Sequence, residues 1–384
     1  AYLDISHPEI EEFLDIRKPT GGDINRKSTN LHHGVVITDD FMQIIENATR
    51  IEGFDDSWDL IDPHTEKVVK TVSAKTLWVK MIQNRVETGE PYIMFKDTID
   101  EAMPEFQQRL GLEVHQSNLC SEITLPTDKD RTAVCCLSSV NLEEFDEWKH
   151  DDMFIPDLVR MLDNVLEHFI KHAPNQLERA KYSAFRERSI GLGAMGFHAY
   201  LQRHNIPFES AMAKGRNLQM FSRIKGEAVR ASEALAMERG ACPDDDTGRY
   251  RNAHLMAIAP NASSSIICGN TSPSIEPYRA NAFTQKTKSG SSLLKNEYLE
   301  AILQDLGEDT EEVWKSIITN NGSVQHLDFL DDWTKEVFKT AVEIDQRWVI
   351  EMAADRQEFI CQSQSLNIFF PSNVSKQELH AIHM

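Results

Sequence analysis

Three groups that can do chemistry fall at alternate positions of HQSNLCSEITLP, residues 115–126: the amide of Asn118, the thiol of Cys120 and the carboxylate of Glu122. If this run is extended, alternate side chains share a face and the three stand in a row. A carboxylate two residues from a thiol opposes loss of the thiol proton. That suits a thiolate nucleophile badly. It suits hydrogen-atom chemistry, in which the sulfur takes a hydrogen atom and the carboxylate takes a proton from a neighbouring hydroxyl. The plainer alternative is a half-buried strand with a core cysteine, since free cysteines are usually buried and inert. A second cysteine pair, Cys135-Cys136, follows in AVCCLSSVNL. A hairpin over the polar turn TDKDRT would return this pair beside Cys120, and because adjacent strand residues point to opposite faces, one of the two could share the site. A bond between sequence neighbours would be strained, and two small core residues is the competing reading.

Other motifs are less specific. In IAPNASSSIICGN an apolar run and Pro260 lead through Asn261, Ala262, Ser263, Ser264 and Ser265 towards a helix start. Free N–H groups and hydroxyls there would cradle an anion. It is not a Walker A loop, and serine-rich turns are also common connectors. GLGAMG, residues 191–196, meets the GxGxxG spacing, but no acidic residue stands at the end of a second strand of a βαβ unit, so it reads as close strand–helix packing. His32-His33 and the HxxH of HAIHM lack a matching set of metal ligands.

The elements that must position these groups alternate. Val35 to Ile37 reads as a strand, as does PYIMF. Ser73 caps a helix carrying Leu77, Trp78, Met81, Ile82 and Arg85 that stops at Gly89. SEITLP and AVCCLSSVNL read as two strands. A long helix follows with Leu158, Met161, Leu162, Val165, Leu166 and Phe169 on one face. RSIGLGAMGFHAYL reads as a strand running into a helix. The next helix presents Leu218, Phe221, Ile224, Ala228, Ala231 and Leu235 and ends at Gly240. LMAIAP is a short apolar strand, Val337, Phe338, Ala341, Ile344 and Trp348 mark a late helix, and SLNIFFP a late strand. Strands alternating with helices along the whole chain predict an α/β fold.

The bulk numbers exclude several classes. A net charge of -21 argues against a nucleic-acid backbone or an anionic membrane as partner. Apolar runs are short and broken by charge, and the first residues lack the basic and apolar regions of a signal peptide. Six scattered cysteines without a CxxC are no secreted disulfide framework, which favours the cytoplasm.

Taken in order, the segments YLDISHPEIEEFLDIRKPTGGDINRKSTNLHHGVVITDDFM, QSNLCSEITLPT, AVCCLSSVNL, RSIGLGAMGFHAYL, GACP, MAIAPNASSSI and SPSIEPYRA resemble the large, catalytic subunit of class I ribonucleotide reductases, of the phage type. The resemblance runs over nearly the whole chain. It implies part of a ten-stranded α/β barrel with a central finger loop that carries Ser117, Asn118, Leu119, Cys120, Ser121 and Glu122. On this resemblance Cys120 becomes a transient thiyl radical that removes the 3′ hydrogen of the substrate ribose. Glu122 takes the 3′-hydroxyl proton and Asn118 bonds the sugar hydroxyls. Cys135 matches the second redox cysteine, with Cys136 a bystander, and Pro260 to Ser265 match the loop that binds the substrate phosphates. The implied substrate is a ribonucleoside diphosphate, and the implied reductant is thioredoxin or glutaredoxin. The radical would come from a metal-containing small subunit, with no metal or cofactor bound by this chain.

By the same resemblance residues 1–384 form a partial catalytic barrel domain. A partner cysteine for Cys135, the specificity loops and an ATP cone would lie upstream, and radical-relay tyrosines and a tail cysteine pair downstream. The expected partners are a second large subunit, the small subunit and, if the gene is split, a complementary fragment. The expected location is the cytoplasm, that of the host if a phage encodes the chain. Two rivals remain: an adenosylcobalamin-dependent class II relative, and a non-catalytic assembly fragment.

Overall fold

The computed structural model describes residues 1–287 and 290–384. The chain forms two compact units, one of residues 1–129 with 372–384 and one of residues 130–371.

The first unit is built on a parallel sheet in the order β1 (Tyr2–Asp4), β2 (Gly34–Ile37) and β5 (Tyr92–Phe95). A separate antiparallel pair, β3 (Ser57–Ile61) and β4 (Val68–Ser73), lies between β2 and β5 in sequence. Every residue of β2 is buried, as expected of a central parallel strand. Helix α1 (Asp39–Arg50) starts at Thr38, whose hydroxyl accepts from Phe41 N. Helix α2 (Ala74–Thr88) is bounded as its sequence predicts: the Ser73 side chain accepts from Thr76 N, and Gly89 closes it in the left-handed conformation. Its Leu77, Trp78, Met81 and Ile82 are buried. The returning segment adds a helix, Lys376–His383, whose His380 Nδ1 accepts from Trp78 Nε1 at 3.1 Å.

In the second unit β6 (Cys136–Asn141) pairs in parallel with β7 (Ile190–Met195), Cys136 beside Ile190 and Asn141 beside Met195. Single parallel bridges extend the order through Met256 to Gln364. Four extended segments therefore lie side by side, with β7 buried at every residue. Between β6 and β7 the chain makes α3 (Phe154–His172) and α4 (Glu178–Glu187), and after β7 it makes α5 (Phe197–Arg203) and α6 (Ala211–Arg239). Leu162 and Leu166 of α3, and Phe221, Ile224, Ala228, Ala231 and Leu235 of α6, are buried. Leu162 and these α6 side chains pack in one cluster with Ile190, Leu192 and Ala194 of the sheet. Farther along, β8 (Ala282–Thr287) and β9 (Gly290–Lys295) form an antiparallel hairpin. The fold is thus α/β, and among the described residues no sheet closes on itself.

Several expectations need correction. SEITLP forms no strand, and the partner of β6 is β7 rather than a hairpin neighbour. The helix expected through residues 337–348 is two helices, Asp332–Val337 and Gln346–Gln357. Between them Glu343 Oε2 accepts from Thr340 N and Oγ1, and the Asp345 side chain accepts from Arg347 N to start the second helix. SLNIFFP is irregular, its neighbour Gln364 making only the single bridge to Ile258. LMAIAP makes bridges at Met256 and Ile258 instead of a full strand.

Candidate active site

The Asn118–Cys120–Glu122 run is a tight turn rather than a strand. Ser121 adopts φ 69°, the left-handed region, which reverses the chain directly after Cys120. Asn118 closes the turn three times: its N donates to Ile123 O, its carbonyl accepts from Ser121 N at 3.1 Å, and its Oδ1 accepts from Ile123 N at 3.1 Å. Asn118 Oδ1 thereby holds the backbone of the turn. Leu119 stands out at the tip, 62% exposed, while Cys120 is half-buried and Glu122 is buried with Oε2 lacking a hydrogen-bond partner. Burial, and then the charge of Glu122, push the Cys120 thiol above its ordinary range. The sign argued from the sequence therefore holds in the folded chain, although a turn rather than strand alternation produces it.

Two tyrosines that the sequence reading did not use surround this turn. Tyr2 and Tyr92 flank Gly34 on the parallel sheet. Gly34 matters because a Cβ there would run into the Tyr2 ring. Tyr2 shares a short hydrogen bond with Ser117 Oγ. Burial raises the Tyr2 phenol, as do Tyr92 and Glu122 more weakly, against the lowering effect of Ser117. Burial, then Glu90 and then Cys120, raise that of Tyr92. Tyr2, His32, His33, Tyr92 and residues 116–119 line a cavity of about 300 Å³ against the turn. Both ring Nδ1 atoms of His32 and His33 meet the carboxylate of Glu90. Only long-range pairing in a parallel sheet brings the tyrosines here, so no local pattern could have flagged them.

In the second unit Cys135 immediately precedes β6. Its sulfur lies over Gly191 of β7, 3.1 Å from where a Cβ would be, and 3.8 Å from Gln362 Nε2. Burial pushes this thiol well above its ordinary range; Gln362 opposes weakly. Cys136 is also raised by burial, and its side chain packs against the main core. GLGAMG places two of its glycines inside β7 itself, with only Gly196 turning the chain into α5, so it is packing and no dinucleotide loop. The serine segment sits at the end of the bridged strand. Asn261 takes φ 51°, and its Nδ2 donates to Ser139 Oγ at 2.9 Å, Ala194 O at 3.2 Å and Ala259 O at 3.1 Å. Pro260 is half-buried, Ala262 and Ser263 are exposed, and a four-residue helix, Ser264–Ile267, begins with exposed Ser264 and buried Ser265. Asn261 thus pins the loop to β6 and β7 and leaves its first hydroxyls and N–H groups facing outward.

The fold defines a class first: an α/β protein in which burial raises the thiols of Cys120, in the first unit, and Cys135, in the second, above their ordinary range. The family model of the ribonucleotide reductase barrel domain matches residues 1–250 and 245–384. The chain belongs to the ribonucleotide reductase family, as the barrel domain of a class I large subunit. It is 50% identical to the ribonucleoside-diphosphate reductase large-subunit homologue of Frog virus 3, over 100% of this chain and 66% of that protein. It is 33% identical to the Caenorhabditis elegans large subunit, over 99% of this chain and 54% of that protein. Among solved structures it is similar to the class Id ribonucleotide reductase alpha subunit of Actinobacillus ureae, with TM-score 0.86 and 38% identity over 100% of this chain and 66% of that one. The chain therefore spans about two thirds of the viral relative and about half of the nematode one.

Proposed function

We propose that this chain is the catalytic barrel of a ribonucleoside-diphosphate reductase and reduces ribonucleoside diphosphates to deoxyribonucleoside diphosphates. The observation that carries the reading is the turn at 118–122. It presents a half-buried thiol raised above its ordinary range, with a buried carboxylate behind it whose Oε2 lacks a hydrogen-bond partner. In the proposed sequence a Cys120 sulfur radical removes the 3′ hydrogen. Glu122 accepts the 3′-hydroxyl proton, while Asn118 Nδ2 donates to a sugar hydroxyl. The 2′-hydroxyl leaves as water. Cys135 and a second thiol outside this chain then supply two electrons and two protons and become a disulfide, and the 3′ hydrogen returns from Cys120. The outward-facing start of the loop from Pro260 to Ser265 receives the diphosphate.

A radical-generating, metal-containing small subunit would start each turnover, and thioredoxin or glutaredoxin would restore the thiols. A dimer of large subunits in the cytoplasm is the expected assembly. Among the described residues no helix is long and apolar enough to cross a membrane. The test is reconstitution of the large subunit that carries this barrel with a radical-generating small subunit. Formation of a deoxyribonucleoside diphosphate from CDP is expected; turnover that needs adenosylcobalamin and no small subunit would replace this reading with the class II one.

A further inference from the structure

Cys361 takes no part in the chemistry above, yet it has the most anion-stabilising surroundings of any cysteine in the chain. Its sulfur accepts the N–H of Leu255 at 3.1 Å and of Met256 at 3.2 Å. It stands where the sheet pattern would place a carbonyl oxygen, beside the Gln362 N to Met256 O and Ile258 N to Ser363 O bonds. The acceptor it could use as a thiol, Met256 O, is farther away at 3.7 Å. His254 Nδ1 meets the Cys361 carbonyl oxygen at 3.1 Å, and Lys225 of α6 and the His254 ring both favour the anion. Burial works against ionisation, but these groups outweigh it and bring Cys361 down to about 6. The other charged group in the cluster is Glu187, at the end of α4. It is fully buried, takes a 2.9 Å bond from Ser189 Oγ on Oε2, leaves Oε1 without a hydrogen-bond partner, and acts on both His254 and Cys135. His254 thus interacts with both the Glu187 carboxylate and Cys361. Cys135 in the same neighbourhood is pushed the opposite way.

We propose that Cys361 is a resident thiolate and a site of reversible oxidation by hydroperoxides. The sulfur attacks one peroxide oxygen; the S–O bond forms, the O–O bond breaks, and the leaving alkoxide or hydroxide takes a proton from His254 or water. Sulfur is oxidised by two electrons to the sulfenic acid and the peroxide is reduced to alcohol or water. A dithiol reductant reverses the step through a mixed disulfide. Cys361 is half-buried as a residue. The added oxygen must displace the two N–H contacts. Gln362, the next residue, holds both Cys135 Sγ and, at 3.0 Å, Ile190 O. Oxidation at Cys361 therefore disturbs the setting of Cys135. That last link rests on the role proposed for Cys135; the modification does not.

The test treats the intact protein with limiting hydrogen peroxide and dimedone at pH 7 and maps all six cysteines by mass spectrometry. Cys361 is expected to label first, ahead of the exposed Cys268. Lys225→Gln and His254→Gln should each slow its labelling, by about tenfold or more if Cys361 reverts to the few per cent ionised of an ordinary thiol. Equal labelling of all variants in urea, together with unchanged melting of Lys225→Gln, separates loss of the field from loss of the fold. Labelling of Cys268 without Cys361, or Cys361 labelling indifferent to Lys225→Gln, overturns the proposal. Neither result depends on turnover, so the proposed reductase activity stands or falls separately.

Discussion

Gly191→Ala probes the packing that sets the position of Cys135. A Cβ at this point of β7 meets three groups: a Leu137 methyl, the Ala257 Cβ at 3.1 Å and the Cys135 sulfur at 3.1 Å. Leu137 is 42% exposed and can swing into solvent at little cost. Ala257 is fixed to the neighbouring strand, since its N donates to Leu192 O at 3.3 Å. The few tenths of an ångström must therefore come from Cys135. Overpacking by one methyl costs about 1–3 kcal/mol, and with Leu137 free to move the lower end applies, about 1 kcal/mol. For a unit the size of residues 130–371 that lowers the melting temperature by about 2–4 °C. Thermal unfolding followed by circular dichroism measures the shift. N-ethylmaleimide labelling at Cys135 should rise at the same time, because the sulfur loses its seat over the strand. Gly191→Val should enlarge both effects. A Gly191→Ala protein that melts with its parent and labels no faster at Cys135 would refute the reasoning.

Glu122→Gln should lower the pH midpoint of Cys120 alkylation by iodoacetamide yet leave it above the ordinary thiol value of about 8.5, because burial outranks the carboxylate as a cause; no change, or an upward shift, contradicts the assignment. Arg131 grips the buried Asp244 with bonds of 2.7 and 2.9 Å, and Arg186 adds a third at 2.7 Å. Burial raises the Asp244 carboxyl, but the two arginines outweigh it and hold it below its usual range. Its contribution is then present above the ordinary carboxylate value and lost as pH falls below it. Asp244→Asn should cost about 3–5 kcal/mol at pH 7 in urea unfolding, and the gap to the parent should narrow below about pH 4. Asn261→Gly keeps the left-handed backbone but frees the loop from Ser139, Ala194 and Ala259. It should raise KM for the diphosphate substrate more than it lowers kcat, and a reversed split would argue against the loop as the phosphate site.

What the sequence disclosed was mostly local. Ser73 and Gly89 bound their helix where capping chemistry puts them, and α6 ends at Gly240, a glycine at positive φ. The chemical pairing of Cys120 with Glu122 was also legible, because spacing alone brings the carboxylate near the thiol. The shape of that pairing was not. Alternation reads the same in a strand and in this turn, and what decides between them is Ser121 in a left-handed conformation and an Asn118 side chain bonded to Ile123 N. The partner of β6 lies some fifty residues away in a parallel register, which no turn signal announces. The break near residue 340 stayed hidden because apolar spacing continues across it while Glu343 and Asp345 interrupt the backbone. Cys361 looked like one more scattered cysteine, since its donors are main-chain N–H groups from another strand.

The central claim is that the Cys120 sulfur carries the reaction. The direct measurement replaces it with serine in the large subunit, reconstitutes the enzyme with its small subunit, and follows conversion of CDP to dCDP beside a Cys268→Ser control at the exposed cysteine. The account predicts no dCDP from Cys120→Ser and near-parental turnover from Cys268→Ser. Sustained dCDP formation by Cys120→Ser would contradict it.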